Sequence, residues 1–151
     1  MGLEQSIIVR HNVEMGHRLS LQPYSKCFHL HGHSWWVELE IIGPLDDKGM
    51  VLGLDFGSVK QEWRGWLDST FDHHLCLNEE DPLVRLVLSE TYQKQALLAE
   101  WGIQVMPYDP TVENMARLWG EHAEITYRHL EAKIGIKVQE AATNAATWHS
   151  Y

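Results

Sequence analysis

The run Cys27-Phe28-His29-Leu30-His31-Gly32-His33 places one thiol and three imidazoles inside seven residues. If the backbone is extended there, alternate side chains share a face, so His31 and His33 project together. A third imidazole must then come from a neighbouring strand. His17, beyond the apolar stretch that opens with Ile7, Ile8 and Val9, is the natural donor. Three neutral imidazoles with a fourth position left open make a catalytic zinc site. Such an ion polarises substrate oxygens and acidifies the hydroxyl groups it binds. The competing reading of His-Gly-His is a surface turn or a buried polar network. His29 alternates with His31 as well, so periodicity does not decide which two of the three converge. His11 reads as a strand surface residue. Cys27 stays open between a fourth ligand, an apolar filler and a thiolate that acts as nucleophile or base. Cys76 has no comparable neighbours and reads as core.

Asp72-His73 offers a carboxylate beside an imidazole, a pair suited to tuned proton transfer. Adjacent residues on a strand point apart, so direct pairing needs a turn at this place, and His74 could fill the same role. Glu140 ends an apolar strand, where a carboxylate can accept two parallel hydrogen bonds from a flat amidine-like edge. An ordinary surface glutamate is the plainer reading. Glu113 falls in the first turn of a helix, where a negative charge suits the helix dipole. Trp35, Trp36, Trp63, Trp66 and Trp119 read as core or subunit-interface anchors.

Several elements must position these groups. Residues from Ile7 toward His17 form a strand, and Ser34–Ile42, rich in aromatic and β-branched side chains, form another. Gly43-Pro44 and Asp46-Asp47-Lys48-Gly49 are turn chemistry. Met50–Leu54 then returns as a short strand, which makes 34–54 a hairpin. Val59, Trp63, Trp66 and Leu67 recur at helical spacing behind a Ser58 cap. Pro82–Trp101 is helical and stops at Gly102. Thr111 caps a helix whose broad apolar face holds Met115, Leu118, Trp119, His122, Ile125 and Leu130. Residues 134–140 and 143–148 form a second hairpin. This order predicts an α+β domain, an antiparallel sheet with helices on one face.

The whole chain has 151 residues, enough for one domain with a normal core. Acidic residues outnumber basic ones 21 to 12, and the net charge of -9 argues against a nucleic-acid partner. A phosphorylated small substrate needs only a local basic pocket. No apolar run approaches a membrane span, and the opening residues do not pattern as a secretory signal. Two cysteines make no disulfide framework, so a reducing cytoplasm is expected.

Taken together, these residues resemble the 6-pyruvoyl-tetrahydropterin synthase superfamily, and within it the 6-carboxytetrahydropterin synthases of queuosine and 7-deazaguanine biosynthesis. The resemblance is carried by Gly16-His17-Arg18-Leu19, Lys26-Cys27, Leu30-His31-Gly32-His33-Ser34 and Leu54-Asp55-Phe56. It continues in Phe71-Asp72-His73-His74, Leu77-Asn78, Pro110-Thr111-Val112-Glu113-Asn114 and Glu140. The landmarks run in family order from residue 7 to about 148, and the Cys27–His31 gap is like that of the carboxy-type enzymes.

The resemblance implies a tunnelling fold, in which a four-stranded antiparallel sheet with helices on one face assembles into a barrel, typically a hexamer with sites at subunit interfaces. It implies zinc on His17, His31 and His33, Cys27 as general base, and His73 oriented by Asp72. Glu140 would anchor the pterin and join the proton relay, with Glu113 counted beside it as a substrate contact. The implied substrate is 7,8-dihydroneopterin triphosphate, converted to 6-carboxy-5,6,7,8-tetrahydropterin with release of acetaldehyde and triphosphate. Arg18 and Lys26 are the candidates for local positive charge. The chain departs from the family pattern at Met15-Gly16, at Val112, at Ala141–Asn144 and in a longer 79–109 segment, which reads as an insertion in a single synthase domain. A 6-pyruvoyl-tetrahydropterin synthase, a non-catalytic pterin- or zinc-binding relative and a histidine-rich zinc store are the alternatives. Retention of Cys27, Asp72 and His73 argues against the non-catalytic relative, and a store predicts several metals per chain.

Overall fold

Alternation between apolar and polar residues builds two long strands. In β1 (Glu4–His17) Ile7, Val9, Val13, Met15 and His17 are buried, and in β2 (His31–Pro44) Trp35, Val37, Leu39 and Ile41 are. A period of two puts each set on one face. The antiparallel register pairs Val9 with Leu39, Val13 with Trp35 and His17 with His31, so the two buried sets lie on the same side. Strand β5 (Lys133–Ala141) adds Ile134, Ile136 and Val138 to that side, and β6 (Asn144–His149) closes a hairpin with β5. The structure, a computed structural model, describes residues 4–89 and 94–151.

Two helices cover the apolar face. Helix α1 (Phe56–Thr70) buries Val59, Trp63 and Leu67, one residue per turn. Its cap is Asp55, whose side chain accepts the Ser58 N–H at 2.9 Å; the Ser58 cap expected from sequence is thus replaced by an acceptor three residues upstream. Helix α4 (Val112–Thr126) is capped by Thr111 as expected and buries Met115, Ala116, Trp119, Gly120 and Ala123. Ile125, expected on its apolar face, is instead exposed. Gly120 has a steric reason: a Cβ there would come within 2.1 Å of the indole ring of Trp148 on β6.

Three expectations are corrected. Residues 34–54 are not a hairpin. Strand β2 runs from His31 and pairs with β1 and β5, while Leu45 and Val51 form only an isolated bridge. The sheet also exceeds four strands. Short β3 (Leu75–Asn78) and β4 (Ile103–Met106) extend it in parallel, giving the order β4-β3-β1-β2-β5-β6. The crossover between them holds α2 (Pro82–Ser89) and α3 (Lys94–Glu100), where one helical stretch was expected. Residues 90–93 of that stretch lie outside the described residues. Leu77, Val84, Val87, Leu98 and Ile103 form a second small core there, and Gly102 stops the run at φ +64°. Among the described residues no helix is long and apolar enough to cross a membrane.

Candidate active site

The β1–β2 register sets the site. His17 lies opposite His31, and His33 follows two residues along on the same face, at the end of the helix-covered side of the sheet. One ligand atom from each ring lies within 4.8 Å of the others, a spacing that can hold a metal ion. His29 and Cys27 do not join this convergence, nor does His11, whose Nε2 lies 2.6 Å from Asp68 on α1. His29 contributes its carbonyl instead, which lies 2.7 Å from His31 Nδ1. His17 Nδ1 lies 2.8 Å from the Pro110 carbonyl at the mouth of α4. In each pair the carbonyl can only accept, so Nδ1 carries the hydrogen and Nε2 keeps its lone pair.

Buried polar atoms normally find partners. The Nε2 atoms of His17 and His33 are buried without a hydrogen bond, as expected of nitrogens that face an ion position. Burial pushes the His17 imidazole down to about 4; the Pro110 bond opposes this, and His31 and His33 add to it. Burial also lowers His33, against the opposing pull of Glu140. In both rings burial favours the neutral form, the one that binds metal.

Glu140, nearly buried on β5, places Oε1 3.4 Å from His33 Nε2. The structure thus brings the strand-end carboxylate to the histidine cluster. Glu113 stands exposed in the first turn of α4, near the carbonyl that orients His17.

Asp72 and His73 pair directly: His73 Nδ1 lies 2.7 Å from Asp72 Oδ2. The turn that direct pairing requires is present, with His73 at φ +59°. His74 bonds only the Asp72 carbonyl and does not share the role. Burial alone would raise the Asp72 carboxyl, but hydrogen bonds from the Glu14 N–H and from His73 outweigh it and hold it below the usual range. This loop bonds the edge of β1 at Glu14. Glu14, His33, Ser34, His73, His74 and Trp101 line an open cleft of about 480 Å³, so His33 of the histidine cluster borders the same space as His73.

Cys27 is half-buried in a short 3-10 turn just before β2. Cys76 is core as expected, and burial pushes its thiol up to about 12. Arg18 is not a free cation. Its Nε sits 3.2 Å from the fully buried Asp81 carboxylate, and its guanidinium lies over the Phe28 ring. Lys26 remains exposed. Sequence reasoning missed Glu14 and Ser34, which hydrogen-bond each other on the cleft floor, and the buried Asp81 and Asp109. Asp109 precedes Pro110-Thr111 at a helix start, but nothing local marks it as buried.

A family model described as 6-pyruvoyl tetrahydropterin synthase matches residues 6–150. Proteins named 6-carboxy-5,6,7,8-tetrahydropterin synthase from Rickettsia bellii and Rickettsia typhi are 35% and 36% identical to the chain, covering 68% and 71% of each sequence. Among solved structures, an uncharacterized protein from Wolinella succinogenes superposes with a TM-score of 0.81 at 21% identity, covering 99% of this chain and all of that one. The 6-pyruvoyl tetrahydropterin synthase of Plasmodium vivax superposes at 0.72 with 18% identity, covering 97% and 98%. At these identities the structures establish the fold, while the sequence matches establish the family. The chain belongs to the 6-pyruvoyl tetrahydropterin synthase family, as an enzyme of the 6-carboxytetrahydropterin synthase type.

Proposed function

We propose that the protein converts 7,8-dihydroneopterin triphosphate to 6-carboxy-5,6,7,8-tetrahydropterin, releasing acetaldehyde and triphosphate, as a step in queuosine and 7-deazaguanine biosynthesis. The observation that carries this reading is the convergence of His17, His31 and His33 beside the Glu140 carboxylate. Neutral imidazoles with buried, unpartnered nitrogens suit zinc, and a zinc ion held there supplies Lewis acidity to substrate hydroxyls.

The residues divide the remaining work. Glu140 accepts hydrogen bonds from the amino-pyrimidinone edge of the pterin, in the paired geometry a carboxylate offers. Its closeness to His33 sets the pterin ring beside the metal position, so the side-chain hydroxyls reach that position. Glu113, at the entrance of α4, is a further substrate contact. Cys27 acts as the general base and His73 as its proton-transfer partner. Asp72 holds the His73 ring through Nδ1, which leaves Nε2 free to exchange a proton. The Asp72–His73 pair lines a cleft that His33 also borders. Membership of the family favours a homo-oligomer, a hexamer, whose sites lie between subunits. Two free cysteines suit a cytoplasmic protein.

The test is incubation of the zinc-loaded protein with 7,8-dihydroneopterin triphosphate and identification of products by mass spectrometry. The expected product is 6-carboxytetrahydropterin with acetaldehyde. A 6-pyruvoyl product would reassign the reaction to the sister activity. Binding without turnover, unchanged in Cys27→Ala, would make the chain a non-catalytic pterin binder.

A further inference from the structure

Residues 18–30 lead from β1 to β2 and carry Cys27, yet nothing more regular than a single 3-10 turn holds them. Two buried carboxylates at the two ends of the 79–109 segment do so instead. Asp81 is fully buried. It accepts the Leu83 N–H at 2.8 Å at the start of α2 and faces Arg18 Nε at 3.2 Å. The Arg18 guanidinium carbon lies 4.5 Å from the centroid of Phe28, the residue after Cys27. Asp109, also buried, accepts the Ser20 N–H at 3.1 Å, the Ser20 hydroxyl at 2.9 Å and the Leu21 N–H at 2.9 Å. Asn78 at the end of β3 donates to the same carboxylate at 3.1 Å.

Hydrogen bonds carry these anchors to the thiol. The Leu19 N–H donates to the Cys27 carbonyl at 2.8 Å, Gln22 N–H to Leu19, and Ser25 N–H to Gln22. The Ser25 hydroxyl accepts the Cys27 N–H at 3.1 Å. Asp109 accepts four hydrogen bonds, while Asp81 accepts one from Leu83 and meets Arg18 by charge without a hydrogen bond, so moving either carboxylate would leave donors or charge unpaired. Each anchor therefore has a narrow range of positions, and so has the turn.

We propose that Asp81, Asp109 and Arg18 are positioning residues for Cys27, and that the two carboxylates, one at each end of the 79–109 segment, brace the Cys27 turn. The functional consequence rests on Cys27 being the proton-transfer group; the brace itself does not.

The test uses the full chain with Arg18→Met, Arg18→Lys, Asp81→Asn and Asp109→Asn. Iodoacetamide labelling of Cys27 is followed by peptide mass spectrometry across pH, and kcat and KM are measured separately. Buried Cys76 reports folding, because it labels only when the chain opens. In Arg18→Met and Asp81→Asn, Cys27 labelling is expected to change about tenfold while Cys76 stays unlabelled, with kcat down on the order of tenfold and KM within about twofold. Arg18→Lys keeps the charge opposite Asp81 and restores part of both. Folded variants whose Cys27 labelling matches the parent at every pH would overturn the brace. Should a variant label Cys76, Phe28→Leu, which removes only the surface under the guanidinium, decides by the same two results. Altered labelling with unchanged kcat would keep the brace and remove Cys27 from the chemistry.

Discussion

A methyl group added at Gly120 should have an effect opposite in sign to the same change at Gly65. Both glycines lie inside helices, where replacing glycine by alanine gains about 0.5–1 kcal/mol from backbone entropy. Gly65 on α1 is exposed with nothing within 4 Å of a new Cβ, so Gly65→Ala should realise that gain. At Gly120 the new Cβ comes within 2.1 Å of the Trp148 ring, so either the indole leaves α4 or the helix lifts from β6. Overpacking typically costs about 1–3 kcal/mol, and displacing a whole ring belongs at the upper end. The helix gain offsets part of this, which leaves a net loss of about 1–2 kcal/mol. For a chain of this size that lowers Tm by about 2–8 °C, whereas Gly65→Ala raises it by about 1–4 °C. Thermal unfolding followed by circular dichroism measures both. The decisive arm is the double variant: once Trp148→Ala has removed the ring, Gly120→Ala should become stabilising, as at Gly65. If Gly120→Ala is as stable as the parent, or if the sign does not reverse without Trp148, then α4 does not rest on that indole and the packing argument is wrong.

Three further outcomes are expected. His31→Ala should lose zinc and turnover together, with a fall in affinity beyond the ~10–100-fold typical of second-shell changes; full zinc occupancy by metal analysis would remove His31 from the ligand set. Asp72→Asn should keep the turn, because an amide oxygen still accepts the Glu14 N–H, but should lower kcat by about 10²–10⁴ because it no longer orients a protonatable His73; a parental pH–rate profile would clear the pair of any role. His122 stacks on Trp66 at a centroid distance of 3.5 Å, and burial, partly opposed by Glu62, lowers it from the ordinary 6.5. A lowered folded-state pKa means stability that is present above 6.5 and lost as pH falls toward the folded value. His122→Gln should flatten that fall in urea unfolding between neutral and mildly acidic pH, and an unchanged slope would show that the stack does not titrate.

Local pattern alone revealed a good part of this protein. Alternation placed the inward residues of β1 and β2, helical spacing placed α1 and α4, and Thr111 marked a cap that the structure retains. The His31–His33 pair, Asp72-His73 and Glu140 were visible because their chemistry and spacing are properties of short segments. Strand pairing was another matter. Turn-forming residues at 43–49 suggested that 34–54 folds back on itself, but pairing of β2 with β1 and β5, which aligns the Trp35, Val37, Leu39 and Ile41 face under the helices, outweighs that local preference. Periodicity could not separate His29 from His31 and His33, since all three alternate; the register that sets His31 opposite His17 did. Likewise, Asp81 and Asp109 look like surface acids in the sequence. Only the folded chain supplies the donors that make their burial tolerable, because burial and hydrogen bonding between residues some 60 to 90 positions apart are facts of three-dimensional contact, not of local composition.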